Sequence, residues 1–394
     1  MATYYFDHNA TTPVDPFVLE AMLPFMGTKY ANPSATYTAG REARRAVDHA
    51  REQVAAALDA DPSEVIFTAS GSEANNLILR GFADAWVAEN SAPARLAFAQ
   101  IEHPCVAEPL RALTRLGWAM SELPVNPTGV VQSISINGLP MDTRLVSVMS
   151  ANNETGVLQP VAELCEAFKN GRQGLTCFHT DAVQVLGKHP LSFRKLNDSG
   201  VDALTVSSHK IGGPKGAAAL VRDRHLPLMP LVYGGGQEQG LRSGTENVAA
   251  IVGFGVACAR AVEALETRKM VAHHLQHYLE TWLKSRGAVI FSLVAERLSN
   301  TTYASFPGVD GETLVSLLDR QGMSIASGAA CGAGKSGVST VLLAMGVDPL
   351  LAKGAIRISL GMMPNGATTI EAVDNLIGQL DKVLSQLQRF AAVV

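Results

Sequence analysis

A chain of 394 residues with 47% hydrophobic and 17% charged side chains can bury a substantial core, which excludes wholesale disorder. Its formal charge of −4 gives no electrostatic basis for nucleic acid or an anionic membrane as partner. No apolar run reaches the length of a membrane span, and the opening MATYYFDHNATTP lacks the basic and apolar regions of a secretory signal. The length suggests two domains. The five cysteines, Cys105, Cys165, Cys177, Cys258 and Cys331, are odd in number and form no C-x-x-C pair. Free thiols in a reducing cytoplasm are therefore expected, with no disulfide framework and no metal site. The class that fits is a cytoplasmic enzyme.

In chain order, the periodicity of 38–60 predicts a long amphipathic surface helix. Short apolar runs at 64–68 (EVIFT), 95–99 (RLAFA), 145–150 (LVSVMS), 177–180 and 203–207 (ALTVS) read as buried strands separated by helical stretches. This alternation predicts an α/β fold: a mostly parallel central sheet with helices on both faces. Residues 256–286 read as mostly helical. Strands at 301–305, 324–326 and 355–359 and a closing helix near 370–388 then predict a smaller α+β C-terminal domain. The expected division is an N-terminal segment 1–15 packed on the small domain, a large domain 16–260 and a small domain 261–394.

Functional groups cluster just past the strand ends, where open α/β sheets bind ligands. Lys210 follows an apolar strand and precedes the loop IGGPKG, so its amine can meet a cavity and form an imine with an aldehyde; otherwise it is a solvated loop lysine. Asp181, also at a strand end, can keep a pyridine nitrogen protonated, or simply cap a turn. Ser70, Gly71 and Ser72 open a helix and offer amides to a phosphate, with Ser207 and His209 beside the lysine as further donors. An ordinary cap without a ligand is the alternative. His103 can lie on a planar ring or shuttle protons, or be a core histidine. Asn153 and Gln184 can bind a ring hydroxyl or a carboxylate, or satisfy loop backbone. Cys331 lies among small residues in SGAACGAGKSG, a setting suited to close approach and movement. Arg357, in the strand AIRIS, can grip a carboxylate or form an internal ion pair. AACGAGKS fits a permissive phosphate-loop pattern, but the firm strand before it is missing, so a nucleotide binder is only a distant alternative.

Taken together, YFDHNATTP, NPS, SEANN, Glu102-His103, NNETG, HTDAVQ, SSHK, GGGQEQGLRSGTEN, SGAAC and RISLG resemble, in order, the cysteine desulfurases. These belong to the class V aminotransferase group of fold-type I pyridoxal-phosphate enzymes. The resemblance implies pyridoxal 5'-phosphate as cofactor, with Lys210 as the Schiff-base lysine and Asp181 on the pyridine nitrogen. It implies His103 stacked on the ring, Gln184 on the ring hydroxyl, and Gly71, Ser72, Ser207 and His209 around the phosphate. Thr245 resembles a threonine donated to that phosphate by a second subunit, which implies a homodimer. Asn153 and Arg357 resemble the substrate-carboxylate clamp, and Cys331 the persulfide-forming nucleophile; such a thiol must lose its proton locally, and His103 or Lys335 is expected to assist. The implied reaction converts L-cysteine to L-alanine and leaves sulfur on Cys331 for an acceptor protein, as in iron-sulfur assembly. Departures from the family pattern are Tyr37, Gly332, Lys335 to Val338, and Met362. They leave open a lyase that cleaves a C–S or C–Se bond in a substituted cysteine.

Overall fold

The computed structural model describes residues 3–328 and 337–391. Seven strands form the central sheet in the order Val65–Thr68, Ala218–Arg222, Ala203–Ser207, Cys177–Asp181, Thr143–Ser147, Arg95–Ala99, Ala119–Leu123. From Ala203–Ser207 to Ala119–Leu123 every pairing is parallel, whereas Ala218–Arg222 runs antiparallel to both neighbours. Most of these strands are buried along their whole length, so they lack an apolar–polar alternation and read as continuous apolar runs.

Alternate residues of each strand supply two faces. Ile66, Leu220, Ala203, Cys177, Leu145, Leu96 and Phe98 pack under the helices Gly71–Asn90 and Pro104–Thr114. Their neighbours Phe67, Ala219 and Leu204 face the helices Thr38–Leu58 and Val248–Val262. Phe178, Val146 and Ala97 face Val161–Lys169 on that same side. The predicted α/β fold with helices on both faces is therefore present.

A second, antiparallel sheet has the order Ala326–Ser327, Ala355–Ser359, Thr301–Ser305, Val289–Ile290. It shares a core with the helices Leu265–Ser285 and Gly311–Asp319, and Phe6 from the N-terminal segment enters that core. Tyr4–Tyr5 pairs in parallel with Met323–Ser324. The predicted single strand at 324–326 is thus two pieces either side of Ile325, because the backbone leaves one sheet there and joins another. The predicted strand 145–150 begins and ends earlier, at Thr143–Ser147. Two strands of the central sheet escaped the sequence reading, as did the two-residue strands Tyr4–Tyr5 and Val289–Ile290. Ala119–Leu123 is a partly exposed edge strand without a long apolar run, and Ala218–Arg222 follows directly on a Gly/Pro loop.

Candidate active site

Five strands, Val65–Thr68, Arg95–Ala99, Thr143–Ser147, Cys177–Asp181 and Ala203–Ser207, end at the same edge of the sheet. The segments leaving them converge on a cavity of about 510 Å³. Its lining includes Gly71, Ser72, His103, Asn153, Asp181, Gln184, Ser207, His209, Lys210 and Arg357, joined by Asp7, Asn9 and Ala10 from the N-terminal segment. Eleven residues singled out in the sequence, Ser70 among them, thus share one space. Thr245 instead lines a separate surface cavity with Met22, Lys29 and Asn247, and Cys331 lies outside the described residues. Lys335 and the AACGAGKS stretch lie outside them as well.

The local sequence explains each placement. Ser70 is extended at φ −162°, and its Oγ accepts from the Glu73 amide at 3.1 Å while Glu73 Oε2 accepts from the Ala69 amide at 2.9 Å. This reciprocal cap starts a 20-residue helix whose first-turn amides at Gly71 and Ser72 have no intrahelical acceptor and open on the cavity. A side chain at Gly71 would bring its Cβ to 3.3 Å from Val183 Cγ2, so glycine keeps this end of the cavity open.

Asp181 closes its strand, and both its oxygens are occupied. Asn75 Nδ2 donates to Oδ2 at 2.8 Å and the Val183 amide to Oδ1 at 3.0 Å. Both partners satisfy an ionised carboxylate. The same charge acts on its surroundings. Burial first, and Asp181 second, hold Glu102 well above the usual carboxylate range and push the Cys105 thiol up to about 12. Glu102 is therefore a neutral acid and Cys105 a neutral thiol.

His103 caps the helix Pro104–Thr114: its Nδ1 accepts from the Cys105 amide at 3.2 Å and faces Cys105 Sγ at 2.9 Å. Because an amide can only donate, the neutral ring carries its proton on Nε2. Burial lowers the His103 pKa, which keeps the ring neutral. Burial also lowers His209 to about 4, aided by Lys210, Lys215 and Lys188, and its Nδ1 lies 3.1 Å from Thr11 Oγ1.

Lys210 ends the short turn Ser208–Lys210, and its Nζ donates to the carbonyls of Asn9 and Ala10, each at 2.7 Å. The N-terminal segment thus fastens the amine at the cavity wall. Arg357, 3% exposed, donates to the Asn153 carbonyl at 2.9 Å and to Asp7 Oδ1 at 2.6 Å. Both readings of this arginine therefore meet in one place: it faces the cavity and is also ion-paired. Asn153 rides on a turn built by Asn152, whose Oδ1 accepts from the Glu154 and Thr155 amides, each at 2.9 Å. Gly156 closes that turn at φ +77°, where a side chain would sit 2.9 Å from Thr301 Cβ.

Asn9, Asn75, Cys105 and Asp7 were missed as individual residues. Asn9 and Asp7 stand in YFDHNATTP and Asn75 in SEANN, motifs already noted, but nothing local assigns their partners. Cys105 carried no signal beyond its place two residues after His103.

The chain matches the Aminotransferase class-V family over residues 4–376. It is 36% identical over 387 residues to "Cysteine desulfurase IscS" of Dictyoglomus turgidum, covering 98% of this chain and 95% of that one. It is 40% identical over 370 residues to "Cysteine desulfurase, mitosomal" of Trachipleistophora hominis, covering 91% and 82%. Among solved structures, a "NIFS-LIKE PROTEIN" superposes with a TM-score of 0.89 at 38% identity, covering 97% of this chain and 99% of that one. "SspA in complex with cysteine" gives 0.79 at 32% identity, covering 93% and 100%.

Proposed function

The chain belongs to the class-V aminotransferases and, within them, to the cysteine desulfurase family, and on that premise we propose how its own residues carry out the reaction. It is a pyridoxal-phosphate enzyme that converts L-cysteine to L-alanine and retains the sulfur. One observation carries the reading: an amine, an ionised acid fixed by two donors, and free helix-start amides open on one cavity that also holds an arginine.

These groups fit the cofactor. Gly71 and Ser72 offer first-turn amides to its phosphate, with Ser207 and His209 as further donors. Asp181 would accept a hydrogen bond from its protonated ring nitrogen and keep it protonated, and Gln184 would donate to its ring oxygen. Bound there, the cofactor supplies an electron sink for the pair left when a bond to the substrate Cα breaks.

Arg357 and Asn153 orient the substrate carboxylate, with Asp7 sharing the guanidinium. Lys210 moves the Cα proton at Nζ, guided by its two carbonyl partners. His103 acts as a donor, since its neutral ring already holds a proton on Nε2. The help expected from it in deprotonating Cys331 therefore does not come through that nitrogen. Cys331, as thiolate, attacks the substrate sulfur. The substrate C–S bond breaks, an S–S bond forms, and the electrons of the broken bond take up a proton to give the methyl group of alanine. No external oxidant or reductant is required.

We place Thr245 at the cofactor phosphate of a second copy, in a homodimer. Its place in a cavity separate from the one that holds Lys210 supports that, as do the exposed Phe17, Leu23, Met26, Tyr30 and Tyr233. Among the described residues no single helix is long and apolar enough to cross a membrane.

The test is product analysis of the yellow protein with free L-cysteine. Alanine is expected in equal amount to persulfide sulfur, and Cys331→Ala should abolish alanine release while leaving the cofactor bound. Pyruvate with ammonia, or undiminished turnover in Cys331→Ala, would contradict the reading.

A further inference from the structure

Lys188 is a lysine buried to 2% exposure, and no carboxylate among the described residues pairs with it. Its Nζ instead donates to Gln184 Oε1 at 2.6 Å and to Asn9 Oδ1 at 2.9 Å. The charged and titratable groups acting on or around it are Lys210, Arg357, His8 and His209. Burial first, and then Lys210 and Arg357, hold its pKa well below the usual lysine value. A neutral amine has two N–H groups, and two acceptors meet them. A buried cation would be the costlier occupant of this place.

The far side of Gln184 is equally constrained. Its Nε2 donates to the Asn9 carbonyl at 3.0 Å, and that carbonyl can only accept. With Oε1 held by Lys188 and Nε2 beside a carbonyl, the amide has one orientation, and the hydrogen left for the cavity is an N–H.

We propose that Lys188 is a positioning residue that locks the Gln184 amide with its N–H edge toward the cofactor, so that the site offers a donor to the ring oxygen and favours its anionic form. The proposal rests on the assignment of the cofactor to this cavity. It gives Lys188 a role in setting the protonation state of the bound chromophore without contact to substrate.

The experiment is a pH titration of the visible absorbance of the holoenzyme in wild type, Lys188→Met, Gln184→Ala and the double variant. Loss of a hydrogen bond to an anion moves a titration midpoint by about one pH unit. Lys188→Met should raise the midpoint by that amount, Gln184→Ala should raise it comparably, and the double variant should go no further than Gln184→Ala. Lys188→Gln, which keeps one N–H donor, should recover part of the shift. An unmoved midpoint in Lys188→Met, or shifts that add in the double variant, would overturn the proposal. If Lys188→Met does not fold, Gln184→Glu decides, because it replaces the N–H edge by oxygen. The midpoint should then rise beyond that of Gln184→Ala, and a rise no larger would overturn the proposal. Absence of any visible band in the wild type would instead overturn the cofactor assignment itself.

Discussion

Asn9 joins the N-terminal segment to both sheets, and Asn9→Ala measures what that junction contributes. The side chain is 1% exposed. Its Nδ2 donates to the Asn153 carbonyl at 3.2 Å and to Thr301 Oγ1 at 2.9 Å. Its Oδ1 accepts from Lys188 Nζ at 2.9 Å and from Asn300 Nδ2 at 3.2 Å. Each bond contributes about 1 kcal/mol net, but several partners keep a second contact. Asn153 retains Arg357, Asn300 retains the Leu360 carbonyl, and Thr301 retains Asn300. Lys188 and Asn300 each lose one of two buried acceptors, and each unmet donor costs roughly 1–3 kcal/mol. The expected loss is at least about 4 kcal/mol, read as the drop in the urea unfolding midpoint multiplied by the slope. The carbonyl of residue 9 survives the substitution, so the partners of Lys210 and Gln184 remain and the cofactor should still load. A loss below about 1 kcal/mol would refute the assignment of Asn9 as the junction.

Burial raises the Glu102 pKa in the folded protein, so unfolding releases its proton between the ordinary carboxylate range and the raised folded value. Its contribution to stability is present below pH ~4.5 and declines as pH rises toward the folded value. Glu102→Gln should therefore become progressively more stable relative to wild type from pH ~5 upward, and parallel stability curves would refute a neutral Glu102. His179 lies between Ser147 Oγ at 2.9 Å and Thr205 Oγ1 at 3.2 Å, and burial lowers it to about 3. With the folded pKa below the unfolded value, its stabilisation is complete above pH ~6.5 and is lost as pH falls toward 3. His179→Asn should remove one proton from the slope of stability against pH in that window, and an unchanged slope would exclude a neutral His179.

What the sequence made legible was whatever sat on a continuous local signal. Asp181 and Lys210 each follow a buried apolar strand, so their position at the ligand edge of the sheet could be read without the fold. Ser70, Gly71 and Ser72 spelled a helix start. The partners of these groups could not be read, because contact depends on the folded path and not on spacing. Asn9 meets Asn153 across 144 residues and Asn300 across 291. Arg357 meets Asp7 across 350, which is why the sequence left its ion pair and its ligand role as alternatives. Lys188 stands four residues after Gln184, within local reach. Nothing in the sequence said that this lysine would be buried, since lysines are mostly exposed. The edge strand Ala119–Leu123 was missed because its exposed residues break the apolar run that marked the buried strands.

The central claim is that one amine, at position 210, carries the cofactor opposite Asp181. Borohydride reduction of the holoenzyme, followed by peptide mass mapping, tests it directly. The reduced cofactor is expected on the peptide containing Lys210. Attachment to Lys188, which shares Asn9 as a partner, or to no lysine at all, would contradict it.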